Sequence, residues 1–123
     1  MKILKITTGN VISAADIKKG GDVRELLAGQ KTDCIQYVRP EFLSRKAVLA
    51  VDDSGRLRGL AVNEAASLMY GAQFHGHPIV GDVLVMKVSD KPEYVPFDDD
   101  EAKTVMQDLM RRFPFLKTEG QED

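Results

Sequence analysis

The fold is decided by residues 47–88, which begin AVLAVDDSGRLRGLAVNEAASLMYG and end IVGDVLVMKV. The continuously apolar run over residues 47–51 predicts a strand that is covered on both faces of a sheet. The Asp-Asp-Ser-Gly sequence that follows predicts a hairpin turn, because Asp and Ser bond their own backbone and Gly55 tolerates positive φ. Residues 56–60 then predict the half-exposed return strand.

The segment after this hairpin predicts a helix and a further strand. Asn63 is a preferred N-cap residue and Gly71 is a natural C-terminal stop, so the helix is expected between them. The inner stripe of this helix is expected to comprise Ala65, Leu68 and Met69. Residues 79–89 predict the next strand, with Gly81 and Asp82 forming a turn or bulge at its start.

The N-terminal residues predict the first strand. Over residues 2–7, alternation places Leu4 and Ile6 on one face and Ile3 on the other, as the pleat of a strand requires. Residues 11–19 are ambiguous between a short helical turn and other structures.

Two more elements are predicted before the hairpin. Residues 22–28 predict a helix, because Asp22 and Glu25 form a capping box at its start. Residues 34–38 predict a strand, which Pro40 interrupts because it lacks the N–H group that a ladder needs.

The C-terminal part predicts the clearest helix, over residues 98–113. Four acidic residues open it and Arg111 and Arg112 close it, in agreement with the helix dipole, and Pro114 ends it. The acidic cluster could also attract a basic partner or a divalent cation, but we favour the interpretation as a helix terminus. Its apolar residues recur at helical spacing: Ala102, Val105, Met106, Leu109, Met110 and Phe113. We expect this stripe to pack on the sheet. The alternative is a partner or dimer surface.

Together these elements predict a single α+β domain over residues 1–116. Its sheet is expected to be mixed or antiparallel, with about five strands and two or three packed helices, including the C-terminal amphipathic helix. A flexible polar tail is expected over residues 117–123. The length of 123 residues suits one domain with its own core.

Composition narrows the classes of function. The net charge of −2 gives no general electrostatic basis for binding nucleic acid or an anionic membrane. The single cysteine, Cys34, cannot form an intrachain disulfide. No apolar run approaches the roughly 20 residues of a membrane helix, and the first residues are typical of a strand rather than a signal peptide. We therefore expect a cytoplasmic protein with no membrane association.

Three segments resemble a known family: the hairpin of residues 51–57, the run GLAVNEAA at residues 59–66, and residues 79–85. On these segments the chain resembles the family defined by the domain of unknown function 3846, which occurs in phages, conjugative elements and the bacterial genomes that carry them. The resemblance spans residues 1–90 and treats the C-terminal helix as an addition. It implies a mobile-element setting and binding of host factors, and it brings no catalytic residues.

His75 and His77 form the first candidate site, for a metal ion. Two imidazoles two residues apart on a loop can share a metal, but a zinc site needs three or four ligands. Cys34 or Asp82 would have to complete the set. The alternative is a pair of histidines on an exposed loop, and a metal-dependent hydrolase remains the corresponding enzymatic hypothesis.

The second candidate is a small-molecule or nucleotide site on the loop of residues 71–82. Its ligand-binding residues would be Asn63, His75, His77 and Asp82. The free N–H groups at the start of the Asn63 helix suit an anion, although Glu64 would repel one. The structural alternative is that Asn63 caps the helix while Gly81 and Asp82 set a turn.

Two further features have structural explanations that we favour. Cys34 could act as a nucleophile with His75 or His77 as its base, but its place in an apolar strand is typical of a buried, inert thiol. A basic stretch with aromatic neighbours, from Tyr37 to Arg58, could hold single-stranded nucleic acid, but acidic residues interrupt it.

The sequence therefore favours a noncatalytic binding or regulatory protein that acts through a protein partner, with self-association as an alternative. A small-molecule or nucleotide binder using residues 71–82 is the competing hypothesis, and a hydrolase around His75 and His77 is the third. No cofactor is expected, and binding of nucleic acid is disfavoured.

Overall fold

The computed structural model describes residues 1–16, 35–38, 47–52, 61–70, 78–88 and 94–118. The described residues form seven strands and two helices. The strands are β1 (Lys2–Ile6), β2 (Val11–Asp16), β3 (Ile35–Val38), β4 (Ala47–Asp52), β5 (Val83–Val88), β6 (Tyr94–Val95) and β7 (Lys117–Thr118). The helices are α1 (Glu64–Tyr70) and α2 (Asp99–Arg112).

The strands make one mixed sheet in the order β3-β4-β5-β1-β2-β7, and β6 pairs with β5 outside this path. β2 and β7 are parallel, and the other pairs are antiparallel. Five of the described strands have four or more residues, while β6 and β7 have two residues each. The predicted α+β fold, with a mixed sheet of about five strands and a C-terminal helix, is confirmed.

The core lies on both faces of the central strands. Residues 47–51 of β4 are all buried, which confirms the prediction from their continuous apolar run. Alternate residues of β4 face opposite sides, as do Leu4 and Ile3 of β1. The larger cluster, which includes both helices, lies on the Leu4 side. The smaller one comprises Ile3, Val48, Ala50, Leu84 and Met86.

Helix α1 begins at the predicted N-cap, because Oδ1 of Asn63 accepts a hydrogen bond from the backbone N–H of Ala66 at 3.1 Å. Its predicted inner stripe needs one correction. Ala65 and Met69 are fully buried, but Leu68 is 43% exposed and Ala66 is fully buried instead. At about 100° per residue, Leu68 lies roughly 110° from the centre of the face that the three buried residues form.

Helix α2 confirms the predicted C-terminal helix. A capping box joins Asp98 and Glu101: Asp98 Oδ1 accepts from the Glu101 N–H at 2.7 Å, and Glu101 Oε1 accepts from the Asp98 N–H at 3.1 Å. Within the predicted stripe, Ala102, Leu109 and Phe113 are buried, and Val105, Met106 and Met110 pack against the same cluster. The stripe therefore packs on the sheet.

Several local predictions are corrected or lie outside the described residues. The described part of the ambiguous segment is a strand, β2, whose residues 12–16 pair with β1, and residues 17–19 lie outside the described residues. Lys117 and Thr118, assigned to the polar tail, form β7 beside β2. The strand predicted over residues 34–38 is confirmed as β3 for its described residues, Ile35–Val38. The predicted helix of residues 22–28 and return strand of residues 56–60 lie outside the described residues, as do residues 119–123.

Candidate functional site

Asn63 ties three parts of the chain together. Its side-chain Nδ2 donates to the carbonyl oxygens of Ile6 and Gly81, each at 3.0 Å, while its Oδ1 caps α1. Its own N–H donates to the carbonyl of Ile79 at 2.8 Å. The side chain is fully buried. Both side-chain donors and the carbonyl oxygen are thus engaged within the protein, which fixes the start of α1 against β1 and the approach to β5.

Asp82 lies beside this junction. Its Oδ1 accepts a hydrogen bond from the Thr8 N–H at 3.1 Å, and its Oδ2 is 3.8 Å from Lys5 Nζ. The preceding Gly81 has φ 79°, a backbone conformation that residues with a Cβ rarely adopt. The Gly81–Asp82 turn therefore joins the start of β5 to the turn between β1 and β2. The structure thus brings Asn63 and the Gly81–Asp82 turn together.

The remaining sequence candidates lie outside the described residues: Cys34, His75 and His77, with residues 71–77 of the predicted loop. Among the residues that the structure describes, no group of three or more His, Cys, Asp or Glu side chains is placed to hold a metal ion. The metal site and the ligand site on residues 71–82 stay predictions.

A groove of about 350 Å³ lies between α2 and the sheet. We call it the α2 groove. Its floor is apolar and consists of Ala47 at the start of β4, Phe97, and Val105 of α2. Ala47 and Phe97 are buried and Val105 is half-buried. The rim carries the polar residues Lys87, Asp100, Glu101 and Thr104. The volume falls near the lower end of the range of about 300–1,000 Å³ that is typical of ligand sites.

One side of the rim is an ion pair between strand and helix. Lys87 Nζ lies 2.7 Å from Glu101 Oε2. Two hydrogen bonds hold the pKa of the Glu101 carboxyl below its usual range. The larger effect comes from the Lys87 ammonium and the smaller from the Asp98 N–H. The pair joins β5 to the first turn of α2 and so sets the distance between the two walls of the groove.

Thr104 also lines the rim, about one turn further along α2 than Asp100 and Glu101. Its hydroxyl donates to the backbone carbonyl of Asp100 at 3.0 Å, one turn earlier in α2. Among the described residues that line the groove, none forms the pairing of a nucleophile with a base that covalent catalysis needs. An apolar floor with a charged rim suits binding of a group that is itself part apolar and part charged.

The Glu101 pair predicts a pH dependence of stability. Because the folded-state pKa of Glu101 is lowered, its contribution is complete above the ordinary value of 4.5 and disappears as the pH falls through the lower folded-state pKa. Glu101→Gln removes the charge but keeps a side chain that can complete the capping box. We therefore expect the variant to lose less stability than the wild type between about pH 5 and pH 3, in urea unfolding series.

The effect is expected to be small, because the pair is partly exposed and water screens it. Asp100→Asn is the matched control, since it removes the same charge from the same helical turn. Wild type and Glu101→Gln losing stability equally over this pH window would contradict the prediction.

The sequence did not reveal the α2 groove. Phe97, Thr104 and Val105 come from one part of the chain, but Ala47 lies about fifty residues earlier, and Lys87 comes from a third segment. The available signal was the run of four acidic residues that opens α2 beside an apolar stripe. Of its two interpretations, a site for a basic partner or divalent cation and a helix terminus, we favoured the helix terminus, which the capping box confirms.

The fold and the groove define a small α+β domain with a mixed sheet and a partly open, apolar-floored groove against its C-terminal helix. The chain belongs to the domain of unknown function (DUF3846) family, whose model matches residues 1–113. This match includes α2, so the expectation that the C-terminal helix is an addition was wrong. No curated protein and no solved structure matches the chain. None of the helices that the structure describes has the length and apolar character to cross a membrane.

Proposed function

We propose that this protein is a noncatalytic binding or regulatory protein that acts in the cytoplasm through a protein partner. The partner would place an apolar side chain in the α2 groove. The resemblance noted in the sequence adds a phage or mobile-element setting, in which the partner would be a host factor. Self-association through the same groove is the alternative form of this proposal.

The observation that carries the proposal is the α2 groove itself. Its floor presents apolar surface at a place where strand and helix ends leave a concavity, while Asn63 and Asp82 are engaged in holding the fold. Concave apolar surface that a polar rim surrounds is typical of the centre of an interface, where a few side chains supply most of the affinity.

A pair of matched variants of α2 tests the proposal. Thr104 and Gln107 are both exposed on this helix, but only Thr104 lines the groove. Thr104→Arg introduces a long charged side chain at the groove, whereas Gln107→Arg makes the same change of charge elsewhere on the helix. We expect Thr104→Arg to weaken partner binding more than tenfold, equivalent to about 1.4 kcal/mol or more, and Gln107→Arg to leave it within twofold.

The measurement is a pull-down from host lysate with wild type and both variants, followed by titration of each captured protein. A partner captured by wild type and Gln107→Arg but lost with Thr104→Arg supports the proposal. Size-exclusion chromatography with light scattering shows whether that partner is a second copy. Capture that is equal for all three proteins, or no capture by the wild type, counts against it.

A further inference from the structure

The α2 groove carries an excess of negative charge on one side. Residues 98–104 include four carboxylates and one ammonium, that of Lys103. Asp100 and Glu101 lie directly on the rim, and among the described lining residues Lys87 is the one cation. The Lys87 ammonium pairs with Glu101, while the Asp100 side chain is exposed at the rim. The rim therefore presents a carboxylate beside the apolar floor.

These charges discriminate between classes of occupant. The N-terminus of α2 contributes about half a positive elementary charge, which would favour an anion in isolation. Three carboxylates in the first turn and a fourth at the N-cap more than offset it, so an anionic or phosphate-bearing group would meet net repulsion. A cationic group would gain attraction at the rim while an apolar neighbour enters the floor. The same arrangement gives electrostatic complementarity to a basic partner segment.

We propose that the α2 groove binds a partner segment in which Lys or Arg flanks an apolar residue. This inference rests on the proposed function, and adds the chemistry of the partner. The apolar side chain sits over Ala47, Phe97 and Val105, and the flanking cation lies against Asp100. Arg suits this role well, because its guanidinium donates to a carboxylate in a bidentate manner while its stem covers apolar surface.

Defined peptides test this chemistry without knowledge of the natural partner. The probes are three fluorescein-labelled nine-residue peptides with a central Leu flanked on both sides by Arg, by Gln or by Glu. Anisotropy titrations at low salt give the three affinities. We expect the order Arg, Gln, Glu, with about tenfold between the first and the last, because a surface charge pair contributes modestly and its sign reverses between the Arg and Glu peptides. Replacing the central Leu by Ala should weaken the Arg peptide as well.

A charge reversal in the protein makes the test specific to the rim. Asp100→Lys should reduce or invert the preference, so that the Glu peptide gains affinity while the Arg peptide loses it. Asp100→Asn is the milder variant, with a preference between those of wild type and Asp100→Lys. Circular dichroism of each variant confirms that α2 is retained.

The outcomes separate the two proposals. If the three peptides bind alike and Thr104→Arg weakens all of them, the groove binds partners but the basic flank is wrong. If Asp100→Lys leaves a preference for the Arg peptide unchanged, the inference is overturned, because the charge that selects the peptide lies elsewhere. The inference fails if Thr104→Arg changes no affinity or if no peptide binds the wild type. Whether the α2 groove binds a natural partner is then decided separately, by whether Thr104→Arg loses partner capture in the lysate experiment.

Discussion

Asn63→Ala is expected to lower the free energy of unfolding by about 4 kcal/mol. The Asn63 amide is fully buried and satisfies the carbonyl oxygens of Ile6 and Gly81 together with the backbone N–H of Ala66. Truncation leaves these three groups without their partner, and a buried polar group that loses its partner costs about 1–3 kcal/mol. Water that partly enters the vacated space can bond to some of these groups, so the total loss stays below three full penalties. Urea unfolding of the purified variant measures the change.

Asp98→Ala is the matched control, because Asp98 caps α2 as Asn63 caps α1. Asp98 is exposed, so the groups that it leaves can bond to water, and we expect a loss of about 1 kcal/mol. The difference between the two caps follows from the burial of Asn63 and from the two carbonyl oxygens that it satisfies in addition to the cap. Equal losses for both variants would contradict the role of Asn63 as a buried junction.

Asn63→Asp separates hydrogen bonding from loss of volume. The substitution preserves the shape but places a second carboxylate oxygen against the carbonyls of Ile6 and Gly81. Burial and these acceptors should raise the pKa of the introduced carboxyl in the folded state, so its penalty should appear as the pH rises above about 4. We expect the variant to be closer to the wild type at pH 4 than at pH 7. A constant difference across this range would favour a packing defect instead.

The local role of Asn63 could be predicted from the sequence, but its wider role could not. An Asn before a short apolar helix is a recognisable cap, and the cap is present. Its other partners lie 57 and 18 residues away along the chain. Periodicity and turn chemistry contain information about neighbours in sequence, and therefore predict the cap without predicting the contacts to Ile6 and Gly81.

The strands likewise divide into those that their own residues predict and those that depend on pairing with distant residues. β1, β4 and the body of β5 carry apolar patterns strong enough to be predicted from their own residues. β2 combines apolar, small and polar residues in VISAAD, and is a strand because its residues 12–16 pair with β1. β6 and β7 contain two residues each, and depend on their neighbours β5 and β2. Short strands of this kind are defined by tertiary pairing rather than by propensity.

The candidate site was even harder to predict from the sequence than the short strands. The prominent polar residues Asn63 and Asp82 were proposed for a ligand, and both make hydrogen bonds that hold the fold. The groove arises where the start of β4, the end of β5 and the first turns of α2 meet. Glu101 belongs both to the acidic rim and to the capping box of α2, so electrostatic pattern alone could not separate a structural from a binding role.

Leu109→Ala is expected to lower the free energy of unfolding by about 3 kcal/mol, within the range typical of Leu→Ala at fully buried sites. Leu109 is completely buried in the main core cluster and lies in the C-terminal half of α2. Its loss removes apolar burial and leaves a cavity that the surrounding strands cannot fill by relaxing alone. Urea unfolding monitored by circular dichroism gives the midpoint and the slope.

Leu68→Ala is the control, because it makes the same chemical change at a position that the sequence also assigned to an inner stripe. Leu68 is 43% exposed, so we expect a loss below about 1 kcal/mol.

The slope of the Leu109→Ala transition tests whether α2 is an integral part of the domain. If α2 is an integral part of the domain, as the family match through residue 113 implies, the variant should unfold in one transition with an unchanged slope. If α2 were an appendage, Leu109→Ala would release the helix in a separate transition at low urea, and the sheet would keep its wild-type midpoint.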